Sequence, residues 1–304
     1  MDIDHGADGK FFPGQWSLLD LKRTVNKWQQ FMYQNNGWNA LYMENHDQPR
    51  AVSRFANDSP KHRVQSAKMI AVFLGLQAGT PFVYQGQELG MHNVPKDWPM
   101  EEYQDIDCLN HWRFVTKLSG DQATGFIEVD ADSSERLKGQ DADYETREMF
   151  RREYQKKSRD NARTPVQWDS SKHAGFTSAE KPWMAVNPNY TIINAAAQLE
   201  DPNSVFNCWR SVLEARKRYK DIVVYGRFDL VDENNDKIFA YSRTAPQGRV
   251  LVVCNFSTEK VEWVGVPATV QEVILTTTGR SREGLQGPEV QLEPFEAIAL
   301  LVTE

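Results

Sequence analysis

Residues 38 to 50, Trp38-Asn39-Ala40-Leu41-Tyr42-Met43-Glu44-Asn45-His46-Asp47-Gln48-Pro49-Arg50, are the stretch that decides the fold. The apolar run from 38 to 43 predicts a short buried strand, and the polar residues after it predict a loop. Asn45, His46 and Asp47 place an acceptor, an imidazole and a carboxylate together. Such a grouping can hold sugar hydroxyls beside a developing positive charge. The stretch therefore points to carbohydrate chemistry at the end of a strand.

The segments around this stretch predict alternating helices and strands. Ser17 is a plausible N-cap, and apolar residues three and four apart after it predict a helix over 17 to 34. Ser59-Pro60 predicts the start of a second helix, which Gly79-Thr80-Pro81 ends. Phe82-Val83-Tyr84 is then interpreted as a second strand. The order helix, strand, helix, strand indicates a parallel α/β structure.

The second half of the chain changes its pattern twice. Glu145 to Lys157 predicts a helix inside a long charged insertion, and Asp201-Pro202 predicts the start of another helix. From residue 222 the apolar period becomes two. The predicted strands are Ile222 to Val231, Lys237 to Arg243, Val250 to Phe256, Val261 to Val266, Glu272 to Thr277 and Ala297 to Val302. The sequence therefore predicts an α/β part at 1–220 and a small all-β domain at 221–304.

Composition excludes several classes of function. The net charge of −7 over 304 residues argues against a nucleic-acid partner, since such proteins cluster basic charge against phosphates. The longest apolar run, Met69 to Leu76, is far shorter than the roughly 20 residues that a membrane span needs. Three widely spaced cysteines favour reduced thiols and a cytoplasmic location, with no metal-ligand spacing among them. The segment Asp130 to Glu135 lacks the glycine of a calcium loop, and neither a metal nor a cofactor is expected.

Three segments carry a resemblance to a known family. Tyr42 to Phe55 looks like the fourth signature segment of the α-amylase superfamily, glycoside hydrolase family 13, and Gly79 to Gly90 resembles the segment at its eighth barrel strand. Ser158 to Asp169 is similar to a motif typical of the α-glucosidase and oligo-1,6-glucosidase branch, which makes it the most specific of the three. Further matches at 101–106 and 182–189 extend the resemblance over essentially the whole chain.

The resemblance implies a fold of class α/β, a (β/α)8 TIM barrel followed by a C-terminal all-β sandwich. Residues 2 to 6 resemble the loop after the sixth barrel strand, so the chain is expected to hold a partial barrel, from that loop through strand eight and its helix. The family's nucleophile and general acid come from strands four and five, and the chain is expected to lack both. Asp2 and Asp4 lie where the family has a loop, so they are not expected to replace these acids.

The resemblance also assigns the site residues. Asp47 is expected to be the catalytic transition-state stabiliser, and His46 a donor to the same sugar hydroxyls. Arg159 is expected to touch the non-reducing glucose, whereas Arg163 is equally well explained as a structural ion-pair partner. Asn45 has an alternative interpretation as a turn former, and Phe55 has one as a core residue instead of a wall of the substrate pocket. Two alternatives remain. Asp47 could cap the next loop, and His46 could be a buried structural residue.

The leading hypothesis is the C-terminal portion of a retaining α-glucosidase of the maltase or isomaltase type. Such an enzyme hydrolyses terminal α-linked glucose in short oligosaccharides, and this chain alone is expected to be inactive. The alternative is a non-catalytic family member that serves as a binding or scaffold module, like the heavy subunits of amino-acid transporters. His46, Asp47 and Arg159 weigh against that alternative. A third possibility, which concerns origin alone, is that Met1 is an internal methionine taken for a start.

Overall fold

The structure is a computed structural model that describes residues 3, 5–116, 144–267, 269–281, 285 and 288–302. Asp2, Asp4 and the segment from 130 to 135 lie outside the described residues. The described helices are α1 Leu18–Gln34, α2 Ala51–Phe55, α3 Arg63–Gly75, α4 Ile106–Thr116, α5 Tyr144–Lys157, α6 Asp160–Arg163, α7 Ala195–Glu200, α8 Val205–Arg218 and α9 Lys220–Val223. Short 3-10 helices occur at Gln87–Leu89, Met100–Glu102, Lys172–Gly175 and Pro188–Thr191.

The first helix and strand follow the predicted order. Ser17 caps α1 in a capping box with Asp20, as the sequence predicts. The strand after it, β1, is only Ala40–Leu41, and it pairs in parallel with β2, Thr80–Pro81. The prediction of a strand at Phe82 to Tyr84 was wrong by two residues, because the chain turns away from β1 as soon as the Phe82 N–H has bonded to the Leu41 carbonyl.

Gly79 permits the close approach of β1 and β2. Its φ is +132°, a region that L side chains rarely adopt, and a Cβ added there would lie 2.4 Å from the Asn39 carbonyl oxygen. The helix between the strands, α3, begins three residues after the predicted Pro60, because the N–H groups of His62 and Arg63 turn back to the Ser59 carbonyl first. The parallel β1–α3–β2 unit is nevertheless the predicted α/β rhythm.

The C-terminal region is a two-layer β-sandwich. One sheet has the strand order β3–β4–β5–β9–β7, and a second sheet pairs β6 with β8. The strands are β3 Arg227–Val231, β4 Ile238–Ala245, β5 Gly248–Asn255, β6 Val261–Val264, β7 Val270–Thr276, β8 Glu289–Leu292 and β9 Ala297–Val302. Trp263 and Leu292 of the small sheet pack on Leu251 and Val253 of the large one. An all-β region after the helices is therefore confirmed.

Two strand predictions in this region differ from the structure. Ile222 and Val223 belong to α9 rather than to the first strand, since a short apolar run fits a buried helical turn as well as a strand. The strand Glu289–Leu292 was not predicted, although its burial alternates as in a half-buried strand. Its four residues are too few to stand out from the neighbouring loops.

The outer face of the large sheet shares one core with the helices. Phe73 of α3 packs against Phe239 of β4 with ring centroids 4.8 Å apart, and both side chains are fully buried. The Tyr241 hydroxyl donates to the Phe73 carbonyl at 2.9 Å. The buried Arg216 of α8 donates to the Gly75 carbonyl at 2.9 Å and to that of Gln77 at 2.7 Å, which satisfies the C-terminus of α3.

None of the helices that the structure describes is both long enough and apolar enough to cross a membrane.

Candidate active site

Asn45 shapes the turn that presents Asp47. Its side-chain oxygen accepts a hydrogen bond from the Asp47 N–H at 2.8 Å, and its carbonyl accepts one from the Gln48 N–H at 3.2 Å. An Asn side chain that bonds to the backbone two residues ahead forms an Asx turn. The geometry therefore supports the interpretation of Asn45 as a turn former.

The Asp47 carboxylate is exposed and flanked by cations. Its Oδ1 accepts from Arg163 Nη2 at 2.7 Å and lies 3.9 Å from Arg159 Nη1. Its Oδ2 lies 3.0 Å from His46 Nε2. The side chains of Asp47 and His46 are 48% and 69% exposed, so both are open to an incoming ligand. Asp47 thus forms a half-open anionic centre rather than a cap on the next loop.

The two arginines have different roles around Asp47. Arg163 also donates through Nε to the His46 carbonyl at 2.8 Å, so it fixes the turn and the carboxylate together. Arg159 gives its strongest contacts to Asp105, with Nε at 2.8 Å and its own backbone N–H at 2.9 Å, and contacts Asp107 at 3.0 Å. Both side chains approach Asp47, as their spacing of four predicts, but Arg163 makes the direct ion pair.

Asp105 is the buried anchor for Arg159. Burial alone would raise the pKa of the Asp105 carboxyl, but hydrogen bonds from the Arg159 side chain and backbone, together with the charges of Lys10 and Arg159, hold that pKa below its ordinary value. The same pair raises the pKa of Arg159, chiefly through the side-chain hydrogen bond. An ionised Asp105 thus keeps Arg159 charged and oriented beside Asp47.

Arg50 connects the loops that carry the site. Its guanidinium donates through Nη1 to the Gln85 carbonyl at 2.7 Å, through Nε to the Asn161 carbonyl at 3.2 Å and through Nη2 to the Ala162 carbonyl at 3.3 Å. Asn161 and Ala162 belong to α6, the helix that ends in Arg163. Because one fully buried side chain joins the loops after β1 and β2 to α6, it fixes the arginines relative to Asp47.

Glu44 is the charge partner of Arg50. The two groups lie 3.1 Å apart with side chains 1% and 0% exposed, and Glu44 also accepts from the Ala51 N–H. Burial raises the pKa of the Glu44 carboxyl, although the Arg50 charge opposes the shift. The sequence alone indicated no role for Glu44 and Arg50. Two opposite charges six residues apart, bracketing a loop that leaves an apolar strand, were the available signal.

Phe55 and three further residues of the segments that resemble the family divide between core and surface. Phe55 is fully buried and packs edge-on against Trp16, so its side chain lies in the core and offers no surface to a sugar. Trp168 is 54% exposed and remains available as an aromatic wall. Tyr84 lies under the Arg50 guanidinium at 5.5 Å, and Glu88 accepts from the Gly86 N–H at 2.8 Å, as framework residues do.

The arrangement is suited to binding a polyhydroxylated, cation-like group. An accessible carboxylate accepts hydrogen bonds from ligand hydroxyls and stabilises positive charge, while the neighbouring guanidinium and imidazole groups donate. Among the described residues, no group of three or more His, Cys, Asp or Glu side chains is placed to hold a metal ion.

Comparison with known families identifies the family of the chain. A model of the α-amylase catalytic domain matches residues 4–226, and a model of the C-terminal domain of the α-amylase SusG matches residues 238–299. The chain belongs to the α-amylase family. This family is glycoside hydrolase family 13, and its TIM-barrel fold agrees with the parallel β1–α3–β2 unit and with the all-β region that follows.

Individual members of the α-amylase family match nearly the whole chain. An oligo-1,6-glucosidase of Parageobacillus thermoglucosidasius is 43% identical over 300 residues, covering 98% of this chain and 48% of the relative. An α-glucosidase of Schizosaccharomyces pombe is 39% identical over 301 residues, covering 99% of this chain and 48% of the relative. A mutant isomaltulose synthase from Erwinia rhapontici NX5, solved with its natural substrate sucrose, matches with a TM-score of 0.84 and 33% identity, covering 99% of this chain and 49% of that one. The chain spans about half the length of these relatives.

Proposed function

We propose that this chain is the C-terminal portion of a retaining α-glucosidase of the maltase or isomaltase type. The reaction is hydrolysis of terminal α-linked glucose in short oligosaccharides, and Asp47 is the carboxylate that stabilises the cation-like transition state. The observation that carries the proposal is the exposed Asp47 carboxylate, oriented by Arg163 and Arg159 beside His46. Relatives named as α-glucosidases and oligo-1,6-glucosidases support the reaction class.

Hydrolysis with retention of configuration requires two carboxyl groups in addition to Asp47. A nucleophile and a general acid must lie about 5 Å apart on either side of the scissile bond. Asp105 and Asp107, the carboxylates that share Arg159 with Asp47, are paired with that guanidinium, and Asp105 is fully buried. We therefore infer that these 304 residues alone do not turn over substrate, and that the two missing groups come from another part of the barrel.

The extent of the barrel portion belongs to the same proposal. We assign residues 1–220 to the barrel and 221–304 to the β-sandwich, with β1 and β2 as barrel strands seven and eight. An apolar groove of about 570 Å³ along β1 supports a partial barrel. Val25 and Trp28 of α1 line it together with Tyr42 and Met43. Such a surface is what a further strand and helix would cover.

The site residues and the location follow from this proposal. His46, Arg163 and Arg159 bind sugar hydroxyls beside Asp47, Asn45 acts through the turn, and Trp168 covers one face of the sugar. The partner is a small oligosaccharide rather than a nucleic acid or a membrane. A reducing, cytoplasmic setting is supported by Cys108, Cys208 and Cys254, none of which forms a disulfide.

The test is a chimera that joins the N-terminal half of the Parageobacillus oligo-1,6-glucosidase to this chain. We expect the chimera to hydrolyse an aryl α-glucoside and Asp47→Asn to lower its kcat by about 10²- to 10³-fold, as removal of a transition-state contact does. The 304-residue chain alone is expected to show no turnover.

Asp97→Asn is the matched control, since Asp97 is an exposed carboxylate outside the site. It should leave kcat within twofold of the parent chimera. Full activity in the Asp47→Asn chimera would refute the role of Asp47. A folded but inactive parent chimera would favour a binding or scaffold role, and turnover by the chain alone would refute the missing-acid inference.

A further inference from the structure

A second cavity lies on the seam between the helices and the β-sandwich, away from Asp47. Its volume is about 360 Å³, within the range of small-molecule sites. The walls come from α3, from the N-terminal turns of α8 and from the end of β7. The lining residues used below are Gln65, Lys68, Asn203, Ser204, Thr277 and Cys208.

Lys68 gives this cavity an uncompensated charge. Its side chain is 7% exposed, and in the described part of the chain its ammonium group has neither a hydrogen-bond acceptor nor a carboxylate partner. The cavity lining contains no Asp or Glu. An anion bound in the cavity would supply the counter-ion that Lys68 lacks, in a charge-assisted hydrogen bond.

The charge of Lys68 acts on this cavity rather than on a remote surface. Burial raises the pKa of the Cys208 thiol to about 11, and the positive charge of Lys68 opposes that shift. Cys208 is itself part of the lining, so the ammonium group lies within electrostatic reach of the cavity wall. This observation is independent of the cavity's shape.

The neighbouring groups add donors and a favourable dipole. Ser204 caps α8, a helix of 14 residues, and the positive end of that helix lies at the cavity. Gln65, one helical turn before Lys68 on α3, has a buried side-chain oxygen without a partner. Rotation of that amide by 180° presents its NH2 group instead. Lys68 and the helix end therefore make the pocket electropositive. The Gln65 side chain can donate a hydrogen bond to a ligand there.

We propose that this cavity binds an oxyanion, either free phosphate or the phosphoryl group of a small phosphorylated sugar, with Lys68 as its cationic ligand. The volume exceeds that of a bare ion, so a sugar phosphate fills it better. Because α3, α8 and β7 all contribute to the wall, the bound anion joins the helices to the sandwich. Occupancy then stabilises the fold in proportion to ligand concentration.

Titration calorimetry and thermal melts of the full 304-residue chain test the proposal, with inorganic phosphate and glucose 6-phosphate as probes. We expect both anions to raise Tm and Lys68→Met to weaken their binding at least tenfold. Gln65→Glu supplies an internal anion one turn from Lys68, so it should raise Tm and block phosphate binding.

Lys217→Met is the matched control, because Lys217 is an exposed lysine on the same α8 that does not line the cavity. It should leave phosphate affinity within twofold. Two results would overturn the proposal. One is no response to phosphate at about 10 mM, a concentration that detects a Kd of roughly a millimolar. The other is phosphate binding by Lys68→Met that equals binding by the parent chain. Tighter binding of glucose 6-phosphate than of phosphate by tenfold identifies the sugar phosphate as the ligand, and equal binding identifies free phosphate. A failed glucosidase chimera would leave these results unaffected.

Discussion

The loops around Asp47 and the β-sandwich are stabilised by different kinds of contact. Around Asp47, buried charged groups hold the loops together, with the Glu44–Arg50 pair at the centre and Asp105 holding Arg159. In the sandwich, apolar side chains of two sheets fill the interior, and regular ladders satisfy the backbone. Short strands and long loops leave many carbonyls without ladder partners, and the buried guanidinium of Arg50 bonds to such carbonyls in the site region. In the sandwich the buried Arg243 of β4 does the same for the Val223 and Gly226 carbonyls, which lie just before β3, while the ladders satisfy the strands themselves.

This difference has a consequence for how each region fails. A buried ion pair that loses one member leaves an unpaired charge in a low-dielectric interior, whereas an apolar core that loses methyl groups leaves a cavity. The first kind of damage depends on pH and reaches several loops at once. The second is independent of charge.

Arg50→Met should have the largest effect. It leaves Glu44 without its counter-ion and removes the donor to the Gln85, Asn161 and Ala162 carbonyls. We expect the free energy of unfolding to fall by about 3–5 kcal/mol. Urea denaturation measures the loss, and hydrogen exchange should show it at residues 44–50 and 158–163 before the sandwich.

Arg210→Met is the control, since the Arg210–Glu214 pair is exposed and should contribute less than about 1 kcal/mol. If the double variant Glu44→Leu with Arg50→Met were as unstable as Arg50→Met alone, the unpaired charge of Glu44 would not be the cause.

Leu300→Ala should come next. Leu300 of β9 is fully buried between the two sheets, and its truncation is expected to cost about 3 kcal/mol through lost burial and an unfilled cavity. The loss should be the same at pH 5 and pH 8, because no titrating group is involved. Val264→Ala, at a side chain that is 62% exposed, is the control. A pH-dependent loss would erase the distinction between the regions.

Asp105→Asn should have the smallest effect of the three, about 2 kcal/mol at neutral pH, since it weakens a charged hydrogen bond to Arg159. The folded pKa of Asp105 is depressed below its ordinary 3.8. Its stabilising contribution is therefore complete above that ordinary pKa and is lost as pH falls through the folded pKa.

Urea denaturation measures how the free energy of unfolding depends on pH. A range from about pH 2 to about pH 7 brackets the ordinary carboxyl pKa. The stability of Asp105→Asn should fall less steeply below about pH 4 than that of the parent. Asp97→Asn should follow the parent curve. Parallel curves for the parent and Asp105→Asn would show that Asp105 does not titrate in the way proposed.

Elements with a strong local pattern were predictable. The Ser17 capping box and the apolar stripe after it identify α1, and Glu145 to Lys157 differs from α5 by one residue. Ile222 and Val223 were misassigned because three apolar residues carry no period. The lengths of β1 and β2 were overestimated, since the point at which two parallel strands part depends on contacts between them and not on either segment alone.

The candidate site was predictable only where its members share a motif. The segments that resemble the family contain Asp47, His46 and the two arginines. The spacing of four places Arg159 and Arg163 on the same side of a helical turn. The pairing of Asp105 with Arg159 joins residues 54 positions apart, a contact that folding creates and no local spacing encodes. Phe55 was ambiguous for a related reason, because an aromatic residue after a loop fits a core as well as a binding surface.

Phe73 of α3 shares one core with Phe239 and Tyr241 of the β-sandwich. The sandwich is therefore poorly suited to being moved into another protein. A foreign host would have to supply the hydrophobic counterpart now provided by α3, together with a carbonyl for the tyrosine hydroxyl. Exchange of the C-terminal module is therefore expected to succeed only when α3 is exchanged with it.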